Sequence, residues 1–202
     1  KEKTKGLPVV FSNSYQRASK YWFYSGQVTY SQNLYKERRN NYNFWPIEDS
    51  LLGKPVFLLD KYDLWRFEDS LKTPLGWIGY KYDPVFSSFA KVQIRTLART
   101  YSIQENEELM LKVNYLMPPL YHVFIKNNPV LNDTTVIAVF NKAGWIKDIP
   151  TQLRLSAMNE SQEVEVRCNT GLVKGKYFLR FAIRSGYYYP THNSDKIELV
   201  VK

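Results

Sequence analysis

The sequence predicts an α+β protein in which an N-terminal α/β unit precedes an antiparallel β-sandwich. An apolar run at residues 9–11 leads directly into a helical pattern at residues 15–24. Further apolar runs at residues 28–30 and 55–59 continue this strand and helix order. From about Phe89 onward, apolar residues recur at every second position. The change of period therefore predicts two domains of different architecture.

The first domain, residues 1–88, is predicted as a βαβ, Rossmann-like unit. Asn13 or Ser14 can cap the helix that follows the first strand, and Gly26 suits the C-terminal end of that helix. Strand, helix and strand in this order are typical of parallel pairing. We also expect a short helix at residues 65–71 and an extended segment at residues 77–82.

The second domain, residues 89–202, is predicted as a β-sandwich of the immunoglobulin-like or jelly-roll-like type. Alternating or continuous apolar rows mark seven or eight strands, separated by turn residues. These rows lie at residues 92–98, 109–115, 136–140, 153–157, 164–168, 177–183 and 197–201. The boundary between the domains is expected at residues 83–89.

The composition narrows the class of partner. The net charge is +9, with 13 basic and 9 acidic residues up to Ser88 and 15 and 10 after it. Nucleic-acid binding predicts a concentrated basic stripe, so this even distribution argues against it. An anionic membrane surface and simple solubility both stay open. A chain that starts at Lys1 is expected to be a mature product or a fragment.

Catalytic signatures are absent from the sequence. It contains no HExxH motif, no G-x-S-x-G motif and no phosphate-binding glycine loop. The residues His122, His192 and Cys168 have no metal-ligand spacing, and Cys168 lies on the inward row of its strand. We therefore predict no catalytic residue, no metal and no cofactor.

Carboxylates leave one enzymatic alternative open, a free-standing hydrolase with an acid–base pair. The candidate side chains are Glu48, Asp49, Asp60, Asp63, Glu68 and Asp69. Solvated surface charge is the favoured interpretation of this group.

The strongest candidate for a binding site surrounds the first strand and helix. Backbone N–H groups converge where a strand feeds a helix, and arginine side chains match phosphate oxygens. Tyrosine and tryptophan rings suit stacking on a sugar. The predicted ligand-binding residues are Tyr15, Gln16, Arg38, Arg39, Asn40, Tyr42 and Trp45. Alternatively, the aromatic residues of this loop anchor it to the core.

These residues carry a resemblance to a known family. The segments LPVVF at 7–11, SYQ at 14–16, ASKY at 18–21, FY at 23–24 and RN at 39–40, followed by Tyr42 and Trp45, form the pattern. It resembles the C-terminal extracytoplasmic region of bacterial membrane glycosyltransferases of the protein-mannosyltransferase and aminoarabinose-transferase type, glycosyltransferase family 39. Asn41 and Asn43 stand where that family has Gln and Asp.

The resemblance implies a soluble domain on the periplasmic face of the bacterial inner membrane. Its partner would be the transmembrane helical domain of the same polypeptide, and lipid-linked sugar or headgroups could reach it. Those enzymes transfer a sugar from a polyprenyl phosphate carrier. Their catalytic acid lies in an early loop of the membrane part, so this region alone is expected to be non-catalytic.

A second class of function stays open, a secreted carbohydrate-binding or adhesion module. Its sugar platform would be the segment Tyr187-Tyr188-Tyr189-Pro190, because exposed tyrosines stack on sugars at low entropic cost.

Overall fold

The computed structural model describes residues 4–33, 35–36, 38–67, 69–74, 76–129, 132–186 and 189–202. The chain divides into two compact units, Lys1–Ser88 (unit 1) and Phe89–Lys202 (unit 2). Strands dominate both units and helices are few and short. The α+β prediction is confirmed at this level, as a β-rich fold with several sheets. Among the described residues, no helix has the length and apolar character that crossing a membrane requires.

Unit 1 contains a sheet and two α-helices. Its described strands are β1 (Val9–Ser12), β2 (Thr29–Gln32), β3 (Val56–Asp60), β4 (Asp69–Thr73) and β5 (Gly76–Asp83). Its helices are α1 (Tyr15–Ser25) and α2 (Ile47–Leu51), with 3₁₀ helices at Asn41–Asn43 and Leu64–Arg66.

The strand order of this sheet is β2-β1-β3-β5-β4. Strand β1 runs parallel to both β2 and β3, whereas β5 and β4 join antiparallel. The helix predicted at residues 65–71 is wrong, because, among the described residues in this region, only Leu64–Arg66 is helical and β4 follows. This segment is a strand because it pairs with β5, and Leu71 lies opposite Ile78 in the β4–β5 hairpin.

The two helices of unit 1 cover opposite faces of the sheet. Val10, Tyr30 and Leu58 are neighbours in register and share one face. The hydroxyl of Tyr30 donates to Glu48 of α2, so α2 covers that face. Phe11 lies on the other face and its ring contacts Tyr21 of α1. Helix α1 therefore covers the Phe11 face.

Helix α1 starts at the carboxyl edge of the parallel strands and returns to their amino edge. Ser14 is its N-cap residue, but the Ser14 side chain makes no capping hydrogen bond, contrary to the sequence prediction. Instead the Ser14 N–H donates to the Ser31 hydroxyl at 3.2 Å. The helix ends at Gly26, whose φ of 68° is left-handed and whose N–H donates to the Trp22 carbonyl at 2.8 Å.

Unit 2 contains nine described strands and one α-helix. The strands are β6 (Gln93–Thr96), β7 (Thr100–Ile103), β8 (Glu108–Leu116), β9 (Thr134–Asn141), β10 (Gly144–Arg154), β11 (Ser161–Asn169), β12 (Gly175–Ile183), β13 (Thr191–His192) and β14 (Ile197–Val201). Helix α3 spans Pro119–Asn127, and a 3₁₀ helix spans Leu155–Ala157.

The described strands of unit 2 form two sheets. One has the order β10-β9-β12-β14-β7, with β13 paired to β12, and the other has the order β11-β8-β6. Most pairs are antiparallel, as predicted, but β14 and β7 run parallel. Alternation of apolar residues indicates which face of a strand is buried and leaves the direction of its neighbour open. The row at 153–157 is the end of β10 and a 3₁₀ helix, not a separate strand.

Asn193 organises the start of unit 2. Its buried side-chain amide donates to the carbonyls of Phe89 at 2.6 Å and Val92 at 2.8 Å. Its side-chain oxygen accepts the N–H of Ile183 at 2.9 Å. One side chain thus ties the first residues of the unit to the core strand β12.

Candidate functional site

Three asparagines shape the loop that follows β2. The Asn33 amide donates to the Asn43 side-chain oxygen at 2.5 Å, and the Asn40 amide donates to the Asn33 side-chain oxygen at 2.9 Å. The Asn40 N–H also donates to the Asn43 side chain at 2.9 Å, while the Asn40 side chain accepts the Tyr42 N–H at 3.0 Å. This reciprocal cap starts the 3₁₀ helix Asn41–Asn43. The Asn40 side chain, predicted as ligand-binding, here builds the loop.

Tyr42 fastens the loop to α1. Its hydroxyl lies 3.1 Å from the Ser19 hydroxyl, and its ring is in edge contact with the rings of Tyr30 and Trp45. Tyr42 is buried, whereas Trp45 stays partly exposed. The Tyr42 ring is therefore a structural contact of the loop, whereas the Trp45 ring keeps part of its surface in solvent.

An open groove of about 750 Å³ runs between α1 and the segment that carries Trp45. Its lining is mostly apolar and consists of Ser19, Trp22, Phe23, Gly26, Tyr42, Trp45, Pro46 and Ile47. The groove lies along the second half of α1, whereas the residues of α1 predicted to bind a ligand, Tyr15 and Gln16, lie in its first turn. Grooves with this lining suit an apolar or aromatic ligand with few polar groups.

The polar residues of the predicted site lie at the carboxyl edge of the parallel strands. Tyr15 and Gln16 are exposed in the first turn of α1. Arg38 is exposed and Arg39 is half-buried in the loop after β2, and the Arg38 carbonyl accepts from the Asn33 amide at 3.5 Å. Among the predicted residues, the structure thus shows contacts of Tyr42 with Trp45 and with Asn40, and it does not join Tyr15 and Gln16 to the two arginines by any described contact.

A second groove on unit 1 was missed by the sequence prediction. Its volume is about 560 Å³, and its lining is Phe11, Arg17, Lys20, Tyr21, Tyr24, Ser25 and Ile78. Five of these residues recur at helical spacing on α1, which is the signal that could have revealed it. Helix α1 therefore has an apolar groove along each side.

Three candidate carboxylates of the hydrolase alternative, Glu48, Asp60 and Asp69, make hydrogen bonds within the fold. Glu48 and Asp60 are buried, so the interpretation as solvated surface charge is wrong for these two. Glu48 is fully buried and accepts the Tyr30 hydroxyl at 3.1 Å. Burial, and then the adjacent Glu48 charge, raise the pKa of Tyr30 well above its ordinary value. Asp60 accepts the N–H groups of Tyr62 at 2.6 Å and Asp63 at 3.0 Å. Asp69 accepts the hydroxyl of Tyr80, and Glu68 lies outside the described residues.

The histidines and the cysteine lie in unit 2. The His122 Nδ1 on α3 lies 3.8 Å from a Glu160 oxygen, and His192 lies on β13 against the Ser194 carbonyl. Cys168 is buried on β11, as predicted, and burial raises the pKa of its thiol, with a further contribution from Glu108. Within the part of the chain that the structure describes, no group of three or more His, Cys, Asp or Glu could hold a metal ion.

The tyrosine-rich segment of the carbohydrate-binding alternative is described only in part. Tyr187 and Tyr188 lie outside the described residues, and Tyr189 and Pro190 are half-buried.

Comparison with known proteins adds little. No protein-family model matches the sequence, and no curated protein matches it significantly. Among solved structures, a similar chain comes from work on the structural basis of T cell specificity and activation by the bacterial superantigen toxic shock syndrome toxin-1. The match has a TM-score of 0.33 and 9% identity, and covers 55% of this chain and 99% of that chain. A likeness this low carries no argument about fold or function.

Proposed function

We propose that this chain is the periplasmic domain of a bacterial membrane glycosyltransferase that uses a polyprenyl-phosphate-linked sugar donor. One observation carries the proposal. The two separate segments that resemble this family meet in unit 1, where the Tyr42 hydroxyl contacts Ser19 of α1 and Trp45 lines the adjoining groove. The domain shapes or holds the donor site, and the acid chemistry belongs to the membrane part of the enzyme.

The finer architecture follows the same proposal. The parallel strands β1, β2 and β3, with helices on both faces, are interpreted as a Rossmann-like unit, which binds ligands outside the carboxyl ends of its strands. That edge carries Arg38 and Arg39, whose guanidinium groups fit a carrier phosphate or a lipid headgroup. The two sheets of unit 2 are interpreted as an immunoglobulin-like or jelly-roll-like sandwich.

The proposed partner is the transmembrane helical domain of the same polypeptide, at the periplasmic face of the inner membrane. No nucleic acid, metal or cofactor belongs to the proposal. The full reading frame tests this directly, because the proposal requires a block of apolar helices of roughly 20 residues each ahead of this chain.

The role of the arginines is tested in the full-length enzyme. We expect the Arg38→Ala/Arg39→Ala variant to lower sugar transfer from the lipid-linked donor by about tenfold or more, because charge-assisted hydrogen bonds to phosphate are lost. Lys61→Ala/Lys72→Ala is the matched control, since it removes the same charge from exposed positions of unit 1. Equal transfer by wild type and the arginine variant would remove the assigned role.

A carbohydrate-binding or adhesion module is the second candidate. Exposed aromatic side chains such as Tyr62 and Trp65 favour it, because such rings are sugar platforms. A glycan array with this chain separates the two proposals. Binding that is lost in Trp65→Ala and unchanged in Arg38→Ala supports the module.

A further inference from the structure

The outward stripe of α1 is unusually aromatic. Its exposed side chains are Tyr15, Gln16, Ser19, Lys20, Phe23 and Tyr24, at the spacing of one helix face. A helix that packs on a sheet normally presents polar side chains on this face. Here Phe23 is 82% exposed, Tyr24 is 83% exposed and Tyr15 is 46% exposed. Helix α1 thus packs its inner side on the sheet and leaves large rings in solvent on its outer side.

The surface beside this stripe is apolar as well. One groove continues from Phe23 to Trp45, and the other continues from Tyr24 to Ile78. The rings of Phe23 and Tyr24 are in edge contact with each other, with centroids 5.2 Å apart. Contiguous apolar surface of this kind marks an interaction site on a protein.

Charge identifies the kind of partner. Between Asn13 and Ile47 the sequence has five basic residues, Arg17, Lys20, Lys36, Arg38 and Arg39, and one acidic residue, Glu37. Helix α1 itself carries Arg17 and Lys20 and no acidic residue. A surface that combines exposed aromatic rings with an excess of cations is complementary to anionic headgroups above a hydrocarbon layer.

We propose that α1 docks on an anionic lipid bilayer, lying in the plane of the interface with its outward stripe toward the lipid. Phe23 and Tyr24 enter the boundary between headgroups and acyl chains, and Arg17 and Lys20 extend to headgroup phosphates. The inference goes beyond the proposed function, because it requires only that the protein meets a bilayer and makes no use of sugar transfer.

The test is co-sedimentation of the chain with vesicles of equal parts phosphatidylglycerol and phosphatidylcholine. We expect Phe23→Ser/Tyr24→Ser to weaken binding by at least about tenfold, because two large apolar side chains no longer leave water. Tyr62→Ser/Trp65→Ser is the matched control, with aromatic side chains 67% and 78% exposed outside α1. This control should bind like wild type.

Two further measurements complete the test. Arg17→Gln/Lys20→Gln should weaken binding to these vesicles, and added salt should weaken binding of the wild type. Hydrogen exchange should show that vesicles protect α1. Because Phe23 and Tyr24 are largely exposed, their replacement should leave the thermal midpoint of unfolding unchanged.

Three outcomes overturn the proposal. If the wild type stays in the supernatant and does not co-sediment with the anionic vesicles, the proposal is refuted. Equal binding by wild type and Phe23→Ser/Tyr24→Ser also refutes it. The proposal also fails if the chain does not bind vesicles but forms a dimer through Phe23 and Tyr24 in analytical ultracentrifugation. The stripe would then be the contact surface for a second copy of the chain. Sugar transfer by the full-length enzyme is measured separately, so the two proposals fail independently.

Discussion

Tyr30 is the residue that joins the separate parts of the candidate site. It lies fully buried on β2, its hydroxyl donates to Glu48 of α2, and its ring contacts those of Tyr42 and Phe86. A buried carboxylate is costly unless it accepts hydrogen bonds. The Tyr30 hydroxyl therefore helps to hold α2, and with it the segment that carries Trp45, against the sheet.

We expect Tyr30→Phe to lower the free energy of unfolding by about 1–3 kcal/mol, because Glu48 loses this donor while it stays buried. Urea unfolding at neutral pH measures the change. The pKa of Tyr30 is raised from 10.0 in the fold, so its contribution to stability is complete below pH 10 and is lost as the pH rises further. The alkaline loss of stability should therefore be less steep in Tyr30→Phe than in wild type.

Tyr80→Phe is the control for this prediction. The Tyr80 hydroxyl donates to the exposed carboxylate of Asp69, so its loss should change the free energy of unfolding by less than about 0.5 kcal/mol. If Tyr30→Phe is no more destabilising than Tyr80→Phe, the buried hydrogen bond between Tyr30 and Glu48 contributes no more to the free energy of unfolding than the exposed one.

Among the elements, the loop after β2 has one acceptor, on Asn43, that takes two of its hydrogen bonds. The Asn43 side-chain oxygen receives the Asn33 amide at 2.5 Å and the Asn40 N–H at 2.9 Å. We expect Asn43→Ala to lower the free energy of unfolding by about 1–3 kcal/mol, because the buried Asn33 amide and the partly buried Asn40 N–H lose their shared acceptor. Asn43→Asp keeps an acceptor at the same place, and its change should stay below about 1 kcal/mol.

Thermal unfolding of the two Asn43 variants, side by side, checks this prediction. The variants share a position and differ in whether an acceptor oxygen is present, so Asn43→Asp is the matched control for Asn43→Ala. Equal destabilisation by both substitutions would show that the loop needs the NH₂ group of the Asn43 side chain and not its oxygen.

The sequence predicts those elements whose signals are local. Strand β1, helix α1 and strand β3 lie where the apolar pattern and Gly26 indicate, because strand runs and helix ends are short-range features. Most of strand β10 was missed, apart from its end at Leu153 and Arg154, because Ile149 is its sole buried hydrophobic residue. Helix α3 was missed because its nine residues, rich in aromatic and β-branched types, have weak helix propensity.

The sequence names candidate residues for the site, but it does not give the contacts among them. Tyr42 and Trp45 are predicted as ligand-binding residues, and the structure places their rings in edge contact with each other. The contact of the Tyr42 hydroxyl with Ser19 joins two residues that are distant in sequence and are brought close by the fold. The asparagine cluster also required tertiary structure, because polar side chains in a loop predict a turn without naming their partners.

At the scale of the whole molecule, the chain consists of two compact units. We expect residues 89–202 alone to unfold in a single cooperative transition, because the first residues of unit 2 are bound by Asn193 of the same unit. Denaturation followed by tryptophan fluorescence and by circular dichroism measures this. Transitions that do not coincide, or no transition, would show that unit 2 depends on unit 1.

The parallel pair of β7 and β14 has a consequence for synthesis. Strand β14 lies between β12 and β7 in the sheet, although nearly the whole unit separates β7 from β14 along the chain. While the ribosome elongates the chain, β7 emerges early, and the described strand that pairs with it, β14, follows much later. Pairing two strands that are so far apart along the chain is slow, and until it happens the unpaired edge of β7 is prone to aggregation. A nascent chain of this protein should therefore depend on chaperones until β14 is made.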